Sequence, residues 1–282
     1  MTSSHPTARA RFRAQIRRSD AQIDLTDAAF CIAEEDQAAP RSADARDELD
    51  TITAEARNRL EALDDRPRAR ISALNSYLFG DLGFRGNTWD YHHPSNSFLD
   101  QVVLTRIGLP ITLSIVYLEL GHRLGLPVEG LALPGHFLVR WQTHDDEVYV
   151  DPFRSGRIWS RSDCEQRIAA AYGGDTPALI EQVMRPPAKR DILARMLRNL
   201  KHAYVGAEDL PRALAAIERL LLLSPRDIGE VRDRGLLRAR LGHLHLALDD
   251  LDTYARAAPK AADLSTLRTR ARSIAGYVSP LN

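Results

Sequence analysis

The chain has 282 residues, 44% hydrophobic and 27% charged, the composition of a folded globular protein with room for two domains at ~150 residues each. Lys plus Arg and Asp plus Glu both number 38, so the net charge is zero, and a surface dedicated to nucleic acid is disfavoured. Two cysteines, Cys31 and Cys164, exclude a disulfide framework and a zinc cluster and fit a reducing, cytoplasmic compartment. No stretch reaches the ~20 apolar residues a bilayer span requires, so no membrane association is expected.

Residues 1–23 include Arg9, Arg11, Arg13, Arg17 and Arg18, with no acid before Asp20, and read as a disordered basic tail. Asp24 stands where a helix N-cap belongs. Leu25, Ala28, Ala29, Phe30 and Ile32 lie on or near one face of the helix that it opens, with Cys31 as a small core residue and Glu34-Glu35-Asp36 as a solvated end. Leu49, Ile52, Ala56, Leu60 and Leu63 recur at helical steps over 43–63, as do Ile71, Leu74, Tyr77 and Leu78 over 67–80. Gly- and Asn-containing runs at 80–87 and 91–96 predict loops. A short helix over 97–104 breaks at Gly108-Leu-Pro110. The helix over 111–124 is apolar nearly all round, hence predicted buried, and Gly125-Leu-Pro127 stops it. Strands follow at 128–133, 137–143 and 147–150, the last two forming an antiparallel hairpin around His144-Asp145-Asp146. A further helix starts near 160–171, and Arg185-Pro-Pro187 reads as a linker between a core of 24–184 and a second domain of 190–282.

In that second domain Ala213 and Ala247, Leu214 and Leu248, Ile217 and Leu251, and Pro225 and Pro259 are each 34 residues apart. This spacing matches the tetratricopeptide repeat, a pair of antiparallel helices. The first copy is good; the second is degenerate, with Arg238 where the aromatic belongs. Two copies do not close a core, so residues 263–277 are expected to cap the stack.

Three pieces carry the chemistry. A helix begins at Pro110-Ile-Thr112, Pro134-Gly-His136 enters a strand, and Tyr149-Val-Asp151 ends the next. Neighbouring antiparallel strands set side chains ~5 Å apart when directly opposed, so Asp151 would orient His136 as a base toward a group at the helix N-terminus, whose amides suit an oxyanion. Thr112 and Ser114 are the nearest hydroxyls. His92 and His93 form no metal-ligand spacing with His136, and no cofactor or metal is expected.

The runs Asn96-Ser-Phe-Leu99, Gly108-Leu-Pro-Ile-Thr-Leu-Ser114, Arg123-Leu-Gly-Leu-Pro-Val-Glu-Gly130, Pro134-Gly-His-Phe-Leu-Val-Arg140 and Val150-Asp-Pro-Phe153 resemble the bacterial Sir-B family, a transglutaminase-like core joined to tetratricopeptide repeats. The resemblance implies an α+β fold, with N-terminal helices and a papain-like core bearing a small antiparallel sheet, followed by an all-α repeat domain. It also implies that His136 and Asp151 match the His and Asp of the transglutaminase-like triad. It places the triad's cysteine 15 residues before Gly125, and that position is Pro110. A hydroxyl is a far weaker nucleophile than a thiolate, so no thiol-dependent activity is expected.

Two functions follow. The first is a scaffold or interaction protein binding a protein or peptide partner, its oligomeric state left open. The second is a cryptic amide or ester hydrolase or acyl-transferase, with His136, Asp151 and Thr112, Ser114 or a water as its machinery.

Overall fold

A computed structural model describes residues 7–63, 66–143, 147–174 and 176–278. The chain divides into two compact units, 1–193 and 194–282.

The first unit opens on helix α1 (Ala8–Ile16), capped by Thr7, whose hydroxyl accepts from Ala10 N. The basic tail expected over 1–23 is therefore helical from Ala8, and residues 1–6 lie outside the described residues. Phe12 and Ile16, one turn apart, are buried, and the arginines on the other faces find acids far along the chain. Arg9 Nε donates to Glu35 at 2.9 Å, and Arg11 pairs with Glu34. The acidic end expected to be solvated thus neutralises the basic segment expected to be free.

Those acids close α2 (Leu25–Asp36), opened by Asp24, whose carboxylate accepts from Asp27 N at 2.8 Å. Ala28 through Ala33 are all fully buried, because α1 packs on the side that an amphipathic reading leaves to solvent. Then come α3 (Ser42–Glu61) and α4 (Pro67–Asn75), which runs into a π-helical turn over Ser76–Asp81. Strand β1 (Arg85–Gly86), helix α5 (Leu99–Thr105) and strand β2 (Ile107–Gly108) follow, β1 and β2 pairing in parallel. Helix α6 (Pro110–Arg123) is buried on nearly every face, as its composition predicts.

The main sheet has four antiparallel strands in chain order, β3 (Val128–Leu133), β4 (His136–Gln142), β5 (Glu147–Asp151) and β6 (Arg157–Trp159). The turn expected at 144–146 lies outside the described residues. Sequence patterning misses β6, which is three residues long. Odd-numbered residues of β4 face α6. Trp141 Nε1 donates to Tyr117 Oη at 3.0 Å, and the Phe137 ring lies over Gly130, where a Cβ would fall 2.9 Å from it. Gly121 similarly lets α6 approach, since its Cβ would meet Val128 at 2.3 Å. Even-numbered Leu138 faces the other way, into a cluster with Leu131, Leu133, Tyr149, Cys164 and Ile168. That layer is built by α7 (Arg161–Tyr172) and α8 (Pro177–Val183). The core is thus a sheet between α6 and the α7–α8 layer, and β4 is buried on both faces.

Helix α9 (Lys189–Gly206) contains the boundary between the units. The second unit continues with α10 (Leu210–Leu223), α11 (Ile228–Arg240), α12 (Leu244–Ala257) and α13 (Leu264–Val278). α11 and α12 cross where Gly235 leaves no room, since a Cβ there would lie 3.0 Å from Asp250 Cβ. Arg238, in place of the repeat's aromatic, donates to Asp250 at 2.8 Å, and Arg234 clamps the same carboxylate at 2.6 and 2.9 Å. The degenerate copy replaces a ring with a charge-assisted crosslink.

Candidate functional site

His136 is the first residue of β4, reached through Gly135, whose φ of +66° is the left-handed conformation that glycine adopts without cost. From α7, Arg167 Nε fastens this turn by donating to Pro134 O at 3.0 Å. Asp151 is the last residue of β5 and N-caps the turn Pro152–Arg154, its Oδ1 accepting from Arg154 N at 3.1 Å. The other oxygen meets His136 Nε2 at 2.8 Å. Asp151 is fully buried and His136 nearly so.

The pair meets across neighbouring strands without being directly opposed. Val139 pairs with Val150, so Asp151 is level with Leu138, two positions along from His136 on the same face. The pair is diagonal, a separation that long side chains bridge. A carboxylate only accepts, so the bridging proton sits on Nε2, and in the neutral ring Nδ1 is the nitrogen with its lone pair free. Trp159 stacks on the imidazole at 5.6 Å with an interplanar angle of 18°, and Phe153 meets its edge at 6.2 Å. Phe153 in turn packs on Gly86, where a Cβ would fall 2.4 Å from its ring. Two aromatic walls thus fix the ring plane.

The structure does not bring the candidate nucleophiles to this pair by any hydrogen bond. Thr112, fully buried, accepts from Leu109 N at 2.9 Å and donates to Asn96 O at 2.8 Å, which caps α6 and ties it to the loop before α5. Ser114 Oγ donates to Phe137 O at 3.3 Å, on the α6 side of the sheet. His136 projects to the opposite side with Leu138. Each hydroxyl is already committed to backbone, the use expected of Ser and Thr in helices. The thiols are no closer to service. Burial pushes Cys31 up to about 11 and Cys164 up to about 12, and both are fully buried, which makes them inert. Among the described residues no cluster of three His, Cys, Asp or Glu is arranged to hold a metal ion.

Sequence reasoning also misses a cleft of about 1070 Å³ beside Trp159, between α4 and the β5–β6 edge. Ile71, Ser72 and Asn75 form one wall; Val148, Ile158 and Trp159 form the other. Ile158 is half exposed, and the Trp159 indole N–H is buried with no hydrogen-bond partner among the described residues. The signal available was Arg157-Ile-Trp159 after a glycine, an alternating run too short to distinguish from a loop.

Residues 43–198 match the transglutaminase-like superfamily and residues 200–272 the tetratricopeptide repeat. A UPF0162 protein of Xylella fastidiosa is 38% identical over 197 residues, 69% of this chain and 70% of the relative. One of Vibrio cholerae is 29% identical over 199 residues, 70% and 73% of the two chains. Human F-box only protein 21 is 37% identical over 113 residues, 36% of this chain and 18% of that protein. No solved structure matches. With a transglutaminase-like core, a repeat domain behind it and relatives of this kind, the chain belongs to the UPF0162, or Sir-B, family of the transglutaminase-like superfamily.

Proposed function

We propose that the chain is an interaction or scaffold protein whose transglutaminase-like core binds a peptide segment in the cleft beside Trp159, while its repeats engage a second segment. The observation that carries this reading is the open, half-apolar cleft beside Trp159, in a core whose His–Asp dyad lies outside the cleft lining and hydrogen-bonds to no nucleophile. The exposed Ile158 supplies apolar contact.

A photoreactive amino acid at Ile158 of the full chain tests it. The expected result is a discrete light-dependent adduct with a polypeptide, absent when the same group replaces the exposed Tyr172 on α7. Equal labelling from both positions, or none from Ile158, counts against a peptide-binding cleft.

The second reading is hydrolysis or acyl transfer on amide or ester bonds. It is favoured by the 2.8 Å contact between His136 Nε2 and Asp151, which leaves Nδ1 as a base. The hydroxyls of Thr112 and Ser114 are engaged elsewhere, so water is the nucleophile this reading retains.

A further inference from the structure

The repeat domain carries an unfilled groove of its own. α12 and α13 lie side by side, and between them runs a groove of about 640 Å³. Its floor is Leu248, Leu251, Leu267 and Ala271, and its rim carries Arg256, Arg268 and Arg272 with one acid, Asp252. Counting helix pairs from α9, α12 completes the second pair and α13 opens a third whose second helix is absent among the described residues. In stacked repeats each pair buries its apolar face on its neighbour. Here a helix stacked on α12 and α13 would lie over a groove with an aliphatic floor.

The charges on the rim select the occupant. α13 contains Arg268, Arg270 and Arg272 and no acid. Arg256 is paired with Asp252 at 3.1 Å, but among the described residues no carboxylate pairs with Arg268 or Arg272. Among the described residues the side chain of Arg272 makes only long contacts, 3.4 Å to Arg268 O and 3.5 Å to Thr269 Oγ1. A second copy docking by the same face would set arginine against arginine. A bilayer surface would meet the rim, but its flat plane would not reach the floor between two helices.

We propose that this groove seats an amphipathic helix from another protein, with aliphatic residues on one face and Asp or Glu along the flanks, which completes the third pair. The proposal rests on the reading of the chain as an interaction protein, but on a surface in the second unit, whereas the cleft lies in the first.

The test uses the full chain and a fluorescein-labelled, hydrocarbon-stapled helix of about four turns, with leucines along one face and glutamates beside them. A twin peptide carries lysines instead. The acidic helix is expected to bind saturably. Affinity should fall at least ~10-fold, about 1.4 kcal/mol, in the Arg268→Glu/Arg272→Glu variant, which should prefer the lysine twin. Filling the floor with Ala271→Trp should abolish binding of both. Ile158→Glu, in the cleft, should leave binding unchanged, so failure of the cleft reading and failure of this one are distinguishable. No binding of the acidic helix, equal binding of the twins, or indifference to the arginines overturns the proposal. So does arginine-dependent binding to phosphatidylserine vesicles without helix binding, or arginine-dependent self-association.

Discussion

At the scale of single residues, the most informative side chain is Thr112. It occupies the first turn of α6, two positions beyond Pro110, and its hydroxyl serves the backbone on both sides. Thr112→Val keeps the shape and removes both bonds. It should cost about 1–2 kcal/mol of unfolding free energy, measured by urea melts, and leave any ester-cleaving activity where it was. The cysteines give a second prediction. Desolvation holds both thiols protonated far above neutrality, so iodoacetamide at pH 8 should modify neither in the native chain and both after unfolding. Rapid native labelling at one site would identify a thiolate that the fold does not account for. The proximity of His136 and Asp151 was legible, because strand alternation and the Pro-Gly-His and Val-Asp-Pro motifs put them on adjacent strands. Their diagonal offset was not, since register depends on a turn whose length the pattern leaves free.

At the scale of elements, α1 shows where local reading stops. Its five-arginine neighbourhood has no acid before Asp20, which is the composition of a tail. Its partners Glu34 and Glu35 arrive only through the packing of α2. The faint signal was Phe12 and Ile16, one turn apart and both buried. Phe12→Ala should therefore cost about 3–5 kcal/mol, the figure for a buried ring, whereas a free tail would show no change in the urea midpoint. The aperiodic burial of α2 has the same origin, because a helix covered on every side carries no stripe to read. In the repeat unit the close crossing at Gly235 is equally specific. Gly235→Leu must push α12 away from α11 and should lower the melting temperature, while the same change at Gly276, with nothing near its Cβ position, should not.

At the scale of the whole molecule, pH provides a global check. In an unfolded chain cysteine ionises near 9.0 and tyrosine near 10.0, but burial raises Cys31, Cys164 and Tyr117 above those values. Below about pH 9 these groups are neutral in both states and folding loses nothing through them. As pH rises further, the unfolded chain sheds protons that the native chain retains, so stability falls between about pH 9 and about pH 12. A urea midpoint that holds or rises across that window would contradict the burial described. The helices, strands β3 to β5 and the 34-residue repeat were readable because they are written in periodicity, whereas the α+β class was what the family resemblance implied. The cleft was not, because it is made by α4 and β6, which meet only in the folded chain, and neither carries a motif.

The account turns on whether the His136–Asp151 dyad does chemistry. The most direct measurement is turnover of a panel of p-nitrophenyl esters and peptide p-nitroanilides by the full chain, run beside His136→Ala and Asp151→Asn. The three proteins should be indistinguishable from one another and from the uncatalysed rate. Turnover by the wild type that falls by two or more orders of magnitude in His136→Ala, with Asp151→Asn close behind, would make the protein an enzyme and contradict the account.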